Sequence, residues 1–162
     1  MTRATRSSKP TSVSCAVVVL DAAWTKALPD VARLVRRAAR AAIVGARKTG
    51  KRSLTVALAD DKAVRALNAR HAKKDKATNV LSYPSGERTF LGDVVLARQT
   101  VGREARAQKK TPADHLAHLV VHGTLHLLGY DHETGEVDAE RMEALERRVL
   151  AKLGIDDPYL AR

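Results

Sequence analysis

The sequence predicts an α/β fold: one layered domain with a four-stranded mixed sheet and about five helices. Three observations predict it. The length, 162 residues, is that of a single domain. With 44% apolar residues, 29% charged residues and a mean hydropathy of −0.27, the chain reads as globular rather than disordered or fibrous. Short β-branched runs alternate with longer stretches of helical apolar period, as strands and helices stacked in layers require.

The elements follow in order. Residues 1–11 lack periodic apolar positions and read as a disordered basic tail, which leaves 12–162 as the folded domain. Val13–Leu20 reads as a buried strand. Arg3, Arg6 and Lys9 ahead of it imitate a secretory leader, but Asp21 interrupts the run and no small-residue cleavage site follows. Leu28, Val31, Leu34, Val35, Ala38, Ala42 and Ile43 recur at helical spacing, with Arg33, Arg36, Arg37 and Arg40 on the opposite face. That helix ends near Gly45–Gly50, and Ser53–Ala59 alternates as a strand. Asp60 or Asp61 offers an N-cap for a helix to about Arg70, with Val64 and Leu67 inward. Residues 71–78 form a polar loop.

Asn79–Tyr83 and Leu91–Ala97 are short strands divided by the turn residues Pro84, Ser85 and Gly86. A helix of mixed charge covers about 98–109. Thr111 and Pro112 make an N-cap and N1 pair that opens an apolar helix running to Leu128, where Gly129 stops it. A last amphipathic helix spans about 137–153, with Val137, Met142, Leu145, Val149, Leu150 and Leu153 as its stripe and Gly154 as its end.

Composition excludes several classes. One Trp, three Tyr and one Phe cannot build an aromatic base-stacking platform. The single cysteine, Cys15, permits neither an internal disulfide nor a Cys-x-x-Cys zinc site, which fits a cytoplasmic compartment. No apolar run approaches the ~20 residues that span a bilayer, so no membrane partner is expected.

The formal net charge of +11 is local. Residues 1–11 hold +3 and residues 26–52 hold +8, with nine basic groups there against Asp30 alone. The remainder is neutral. A concentration of this kind on one helix is the footprint expected for a polyanion partner. The plainer alternative is a solvated helix face.

Five of the six histidines lie within residues 115–132: His115, His118, His122, His126 and His132. His122 and His126 stand four apart on one helix face, within reach of a single ion. His118 and His126 are roughly 12 Å apart along the axis, too far to share an ion with His122 between them. Gly129 ends the helix, so the chain doubles back and brings His132 over the pair. Three imidazole nitrogens and a vacancy describe a catalytic zinc site whose bound water is lowered towards a neutral pKa. Zinc peptidases place a glutamate directly after the first helix histidine; here that position is Gly123. Asp131 and Glu133 flank His132 instead, as groups to orient it or a water. His118 is open to three readings: a support for a ligand, a substrate contact, or a satisfied helix histidine.

His118-Leu-Val-Val-His122-Gly-Thr-Leu-His126-Leu-Leu-Gly-Tyr-Asp-His132 resembles the signature of the YbeY family of bacterial endoribonucleases. Lys74-Asp-Lys-Ala-Thr-Asn-Val-Leu-Ser-Tyr-Pro84 and Leu91-Gly-Asp-Val-Val-Leu96 resemble its other two motifs, in the same order. The likeness covers about residues 53–153. It implies a single-strand-specific, metal-dependent RNA hydrolase acting in 16S rRNA 3′-end maturation and 70S ribosome quality control. It implies one Zn2+ per chain on His122, His126 and His132, with attack by zinc-bound water and with Asp131 and His118 as candidate catalytic groups. The implied partners are rRNA, ribosomal particles and ribosomal or GTPase assembly proteins. Arg70, Lys73 and Lys74, with Arg33, Arg36, Arg37 and Arg40 on the basic helix, are the expected substrate-binding residues. A ribosome-assembly RNA-binding factor with a structural zinc is the second reading, and a zinc hydrolase of peptides or amides the third.

The sequence departs from the family at one chemically important place. The family loop carries aromatic-Arg-Gly before its Lys-Asp-Lys-Pro-Thr, where this chain has His71, Ala72 and Lys73. Ala77 and Tyr83 stand for the usual proline and phenylalanine. If the family arginine assists catalysis, Ala72→Arg should raise single-turnover cleavage of rRNA fragments. Loss of one preorganised cationic donor typically costs ~100- to 1000-fold in rate. A flexible lysine recovers part of that, so Lys73→Ala should slow the wild type further. An unchanged rate in Ala72→Arg, with folding and metal content intact, would make the loop residue merely positional.

Overall fold

The computed structural model describes residues 9–72, 78–131 and 134–160. Its four strands are β1 (Thr11–Val19), β2 (Gly50–Ala59), β3 (Val80–Pro84) and β4 (Phe90–Ala97), ordered β1-β2-β4-β3. β1 runs parallel to β2 and β2 to β4, while β3 returns antiparallel to β4 across the Pro84–Gly86 turn. The sheet is therefore mixed, with β1 and β3 at its two edges.

Strand alternation sorts the core onto two faces. Leu54, Val56 and Leu58 of β2, with Val94 and Leu96 of β4, pack beneath α2 (Val31–Gly45) and α5 (Pro112–Leu127). On the other face Ala57, Ala59, Val95 and Ala97 receive Val64 and Leu67 of α3 (Asp61–Ala72). Asp60 Oδ1 accepts the backbone N–H of Ala63 at 2.8 Å, the N-cap bond its position predicts. α4 (Arg98–Ala107) follows β4, and α6 (Glu136–Lys152) lies over α2 and α5.

Six helices appear among the described residues, against the about five expected. The extra one is α1 (Ala23–Ala27), too short to show a period in sequence. It exists to bury Trp24, which is 3% exposed and donates its indole N–H to the Ala59 carbonyl at 2.8 Å. The basic helix consequently starts at Val31, because the Leu28 N–H bonds back to the Trp24 carbonyl and closes α1. Thr11, expected in the tail, opens β1 opposite Gly50 and donates its hydroxyl to the Lys48 carbonyl. Residues 1–8 of that tail lie outside the described residues. Val137, expected on the apolar stripe of α6, is exposed in its first turn.

α5 is the element that positions the histidines. The Thr111 hydroxyl accepts the Asp114 N–H at 3.1 Å, Pro112 opens the helix, and Gly129 leaves it with φ +97°. Midway, Gly123 removes the side chain where the helix crosses the sheet. A Cβ there would lie 2.8 Å from Val94 Cγ1, 3.2 Å from Ser82 Oγ and 3.3 Å from Val80 Cγ2. The Ser82 hydroxyl uses the space to donate to the Gly123 carbonyl at 3.1 Å. Side chains of the edge strand thus pack directly on the helix backbone beside His122.

In an open helix interior, Gly→Ala stabilises by ~1 kcal/mol. Here the sign should reverse: we expect Gly123→Ala to destabilise by ~1–3 kcal/mol through overpacking. Urea midpoints of wild type and variant decide between the two signs.

Candidate metal centre

A cleft of about 750 Å³ opens between β3 and the C-terminal half of α5. Its walls are Thr78, Asn79, Val80, Leu81, Ser82 and Pro84 on one side, and His122, His126, Gly129, Tyr130 and Asp131 on the other. His122 and His126 point their Nε2 atoms at one another, 3.1 Å apart. Two imidazoles on one tetrahedral ion, bonded at ~2.0–2.1 Å, hold their nitrogens ~3.3 Å apart. The pair therefore already has the convergence that a shared ion requires.

What fixes this geometry is a carboxylate that the sequence reading passed over. Glu146 of α6 is fully buried, with no solvent exposure. Its Oε1 accepts from His122 Nδ1 at 2.8 Å; its Oε2 accepts from His118 Nε2 at 2.9 Å and from the Tyr159 hydroxyl at 2.7 Å. Burial pushes its pKa upward, but the hydrogen bonds from His118 and His122 outweigh it and hold the carboxyl down at about 2. A carboxylate only accepts, so His122 donates its Nδ1–H to Glu146 and turns its Nε2 towards the cleft and His126. Tyr159 is held in turn by the Arg147 guanidinium, 5.4 Å from its ring centre, and by Asp157, which accepts its backbone N–H at 2.8 Å.

The structure separates the other expected site residues. Asp131 lines the histidine cleft. His118 does not: it lines a hollow of about 140 Å³ with Lys109, Lys110 and Thr111, its ring stands edge-on to that of His122 at 6.3 Å, and Glu146 bridges the two. Arg70 is exposed in the last turn of α3, and the chain returns to the cleft wall at Thr78. Arg33, Arg36, Arg37 and Arg40 line a different cleft against β1. Lys73, Lys74, His132 and Glu133 lie outside the described residues. Among the described residues, no group of three or more His, Cys, Asp or Glu side chains forms a metal cluster.

Glu146 had a signal in the sequence. It sits within the apolar stripe of α6, beside Leu145 and between Met142 and Val149, where a charged residue needs a buried partner. Tyr159 had none.

The comparisons with known proteins bear on this site. A family model described as Endoribonuclease YbeY matches residues 21–154. This chain belongs to the YbeY family. Endoribonuclease YbeY of Azorhizobium caulinodans is 52% identical over 151 residues, covering 88% of this chain and 94% of that protein. Endoribonuclease YbeY of Paramagnetospirillum magneticum is 49% identical over 159 residues, covering 91% and 96%. The solution structure of a Thermotoga maritima protein superposes with a TM-score of 0.55, over 91% of this chain and all of that one, at 22% identity. That likeness concerns the fold. Among the described residues of this YbeY-family chain, no helix is long and apolar enough to cross a membrane.

A buried histidine outside the cleft makes the structure sensitive to acid. His115 is 2% exposed; its Nε2 lies 3.0 Å from Glu104 Oε1, and its Nδ1 has no hydrogen-bond partner among the described residues. Burial lowers its pKa from 6.5, against the opposing pull of Glu104. The unfolded chain thus takes up a proton near pH 6.5 that the folded chain refuses. Stability should fall as the pH drops through about 6.5, and His115 should have no effect on the slope well above it. Urea midpoints at about pH 8 and pH 5 should differ less in His115→Asn than in wild type.

Proposed function

We propose that this chain is a metal-dependent endoribonuclease that hydrolyses phosphodiester bonds of single-stranded RNA in the histidine cleft. The single observation that carries this is the 3.1 Å convergence of the His122 and His126 Nε2 atoms within an open polar cleft, in a chain of the endoribonuclease YbeY family. His122 and His126 would hold the ion, with His132 as the third ligand. Three neutral imidazoles suit zinc, one per chain. When bound, such an ion supplies Lewis acidity, lowering the pKa of coordinated water and drawing charge from a phosphoryl oxygen.

The rest falls to the chain's own residues. Glu146 accepts a hydrogen bond from the Nδ1–H of His122 and so would orient Nε2 as the ligand atom. Asp131, on the cleft wall, is the carboxylate available there to take a proton from the attacking water. Asn79 forms part of the opposite wall, where its amide donates to Glu104 at 3.0 Å and is thereby held in place. Arg70, Lys73 and Lys74 would bring cations to the substrate backbone between α3 and Thr78. A peptidase reading lacks its base, since Gly123 stands where that glutamate belongs.

In this proposal residues 12–162 form one nuclease domain. It would act in the cytoplasm on 16S rRNA 3′ ends and in ribosome quality control, alongside ribosomal particles and their assembly proteins. A purely RNA-binding assembly factor, with zinc as a structural element, is the reading that Ala72 favours.

The decisive experiment incubates metal-loaded protein with single-stranded rRNA fragments. Cleavage by wild type and none by His122→Ala is expected; binding without cleavage would favour the assembly factor. Glu146→Gln should weaken metal binding ~10- to 100-fold in a chelator competition, the usual effect of losing a ligand's carboxylate partner. An affinity equal to wild type would reduce Glu146 to a packing role.

A further inference from the structure

The basic helix does not serve the histidine cleft directly. The histidine cleft is walled by β3, and the arginines of α2 stand against β1, at the opposite edge of the sheet. Three strand spacings of ~4.8 Å put these edges ~14 Å apart before side chains are counted. A group at one edge cannot touch the bond being broken at the other.

Yet the arginine face has the features of a site. A cleft of about 770 Å³ is lined by Val13, Ser14 and Cys15 of β1 and by Arg33, Arg36, Arg37 and Arg40. No carboxylate lines it, and none of the four arginines forms an ion pair within the described residues. All four are exposed. Like charges at i,i+3 and i,i+4 repel, so an uncompensated row of this kind is costly unless an anion neutralises it. The row is also rigidly mounted. Val31, Val35, Ala38, Ala39, Ala42 and Ile43 anchor the opposite face of α2 in the core, and Arg36 Nε donates to the Cys15 carbonyl at 3.1 Å.

We propose that this cleft is a second RNA-binding site, which holds phosphates of the same single strand whose scissile bond lies in the histidine cleft. The proposal rests on the nuclease reading for the identity of the strand. Arginines whose Cβ atoms stand ~5–6 Å apart along a helix face suit successive phosphates, each held by a planar guanidinium fork. An acidic protein segment is the weaker fit, because protein interfaces are built around an apolar centre. The only apolar lining here is Val13 and Cys15, both already packed into the fold. Arg33 and Arg37 also border a smaller hollow that contains Asp30 and Asp114, which leaves Arg36 and Arg40 facing the arginine cleft alone.

The consequence is a dependence on substrate length. At ~3.4 Å per stacked nucleotide, a strand needs at least about four nucleotides beyond the scissile bond to reach β1. The test compares metal-loaded wild type with Arg37→Glu/Arg40→Glu, and with the neutral pair Arg37→Gln/Arg40→Gln as a control on charge reversal. Substrates are single-stranded RNAs of about 4 nucleotides, too short to reach β1, and of about 30 nucleotides, and circular dichroism checks each fold. For the long strand, KM should rise at least ~10-fold in the reversed pair, with kcat unchanged. The salt slope of binding should fall by roughly 1.4, from two contacts at ~0.7 each. The short strand should be cleaved alike by all three proteins. Equal losses on both lengths in a folded variant would overturn the proposal, as would no loss on either. Displacement of bound long RNA by polyuridylate but not by polyglutamate supports it; the reverse order overturns it. If wild type cleaves neither strand while long-strand binding and its slope respond as stated, the nuclease reading fails and the second site stands.

Discussion

The histidine site depends on one buried carboxylate. Glu146 lies wholly inside the protein, where an unpaired charge is among the costliest groups a fold can hold. It is stable there because three donors meet it: His122, His118 and the Tyr159 hydroxyl. These come from separate elements: two turns of α5, and the chain beyond α6. One ion therefore fastens the C-terminal segment, α6 and α5 together, and sets the tautomer of His122 at the same time. Removing any donor leaves the charge less satisfied, so the arrangement holds together or fails together. Burial and Glu146 together push the Tyr159 hydroxyl well above its usual pKa, so it stays protonated and remains a donor throughout the ordinary pH range.

The second constraint is the absence of a side chain. Gly123 lets the side chains of Ser82 and Val80 on β3 pack directly on the α5 backbone, and that approach forms the cleft wall. The same glycine answers a chemical question raised by the spacing of the histidines. A glutamate at this position would give the peptidase arrangement, but even its Cβ would meet Val94, Ser82 and Val80. The packing that shapes the cleft therefore excludes the base that a peptidase would need.

Much of this was legible in the sequence, for physical reasons. The four strands showed as short apolar runs, Ser53–Ala59 through alternation, although β1, read as buried, is an edge strand with Val18 and Val19 exposed; the long helices showed through period, and α5 through its Thr111-Pro112 start and Gly129 stop. The pairing of His122 with His126 followed from helix geometry alone. What escaped was non-local. α1 is a five-residue helix held by one indole, and no period can exist over that length. Tyr159 meets Glu146 from 13 residues away through a loop, and nothing in local pattern encodes such a contact. Glu146 was readable only as a charge on the wrong face of a helix, a signal that states a need without naming the partner. The basic helix was visible as charge, but sheet order was required to show which edge it occupies.

That last point changes how the charge is understood. A net charge of +11 suggests general attraction to a polyanion, yet most of it sits on elements that do not line the histidine cleft. General attraction would accelerate encounter without selecting among substrates. A row of arginines fixed at one sheet edge, without ion pairs among the described residues, would under the proposed function do more when the converged His122–His126 pair stands at the other edge. It would impose a minimum length and a path across the molecule. Selection for an extended single strand would then arise without base recognition or an aromatic platform, in keeping with a chain that has only five Phe, Tyr and Trp residues.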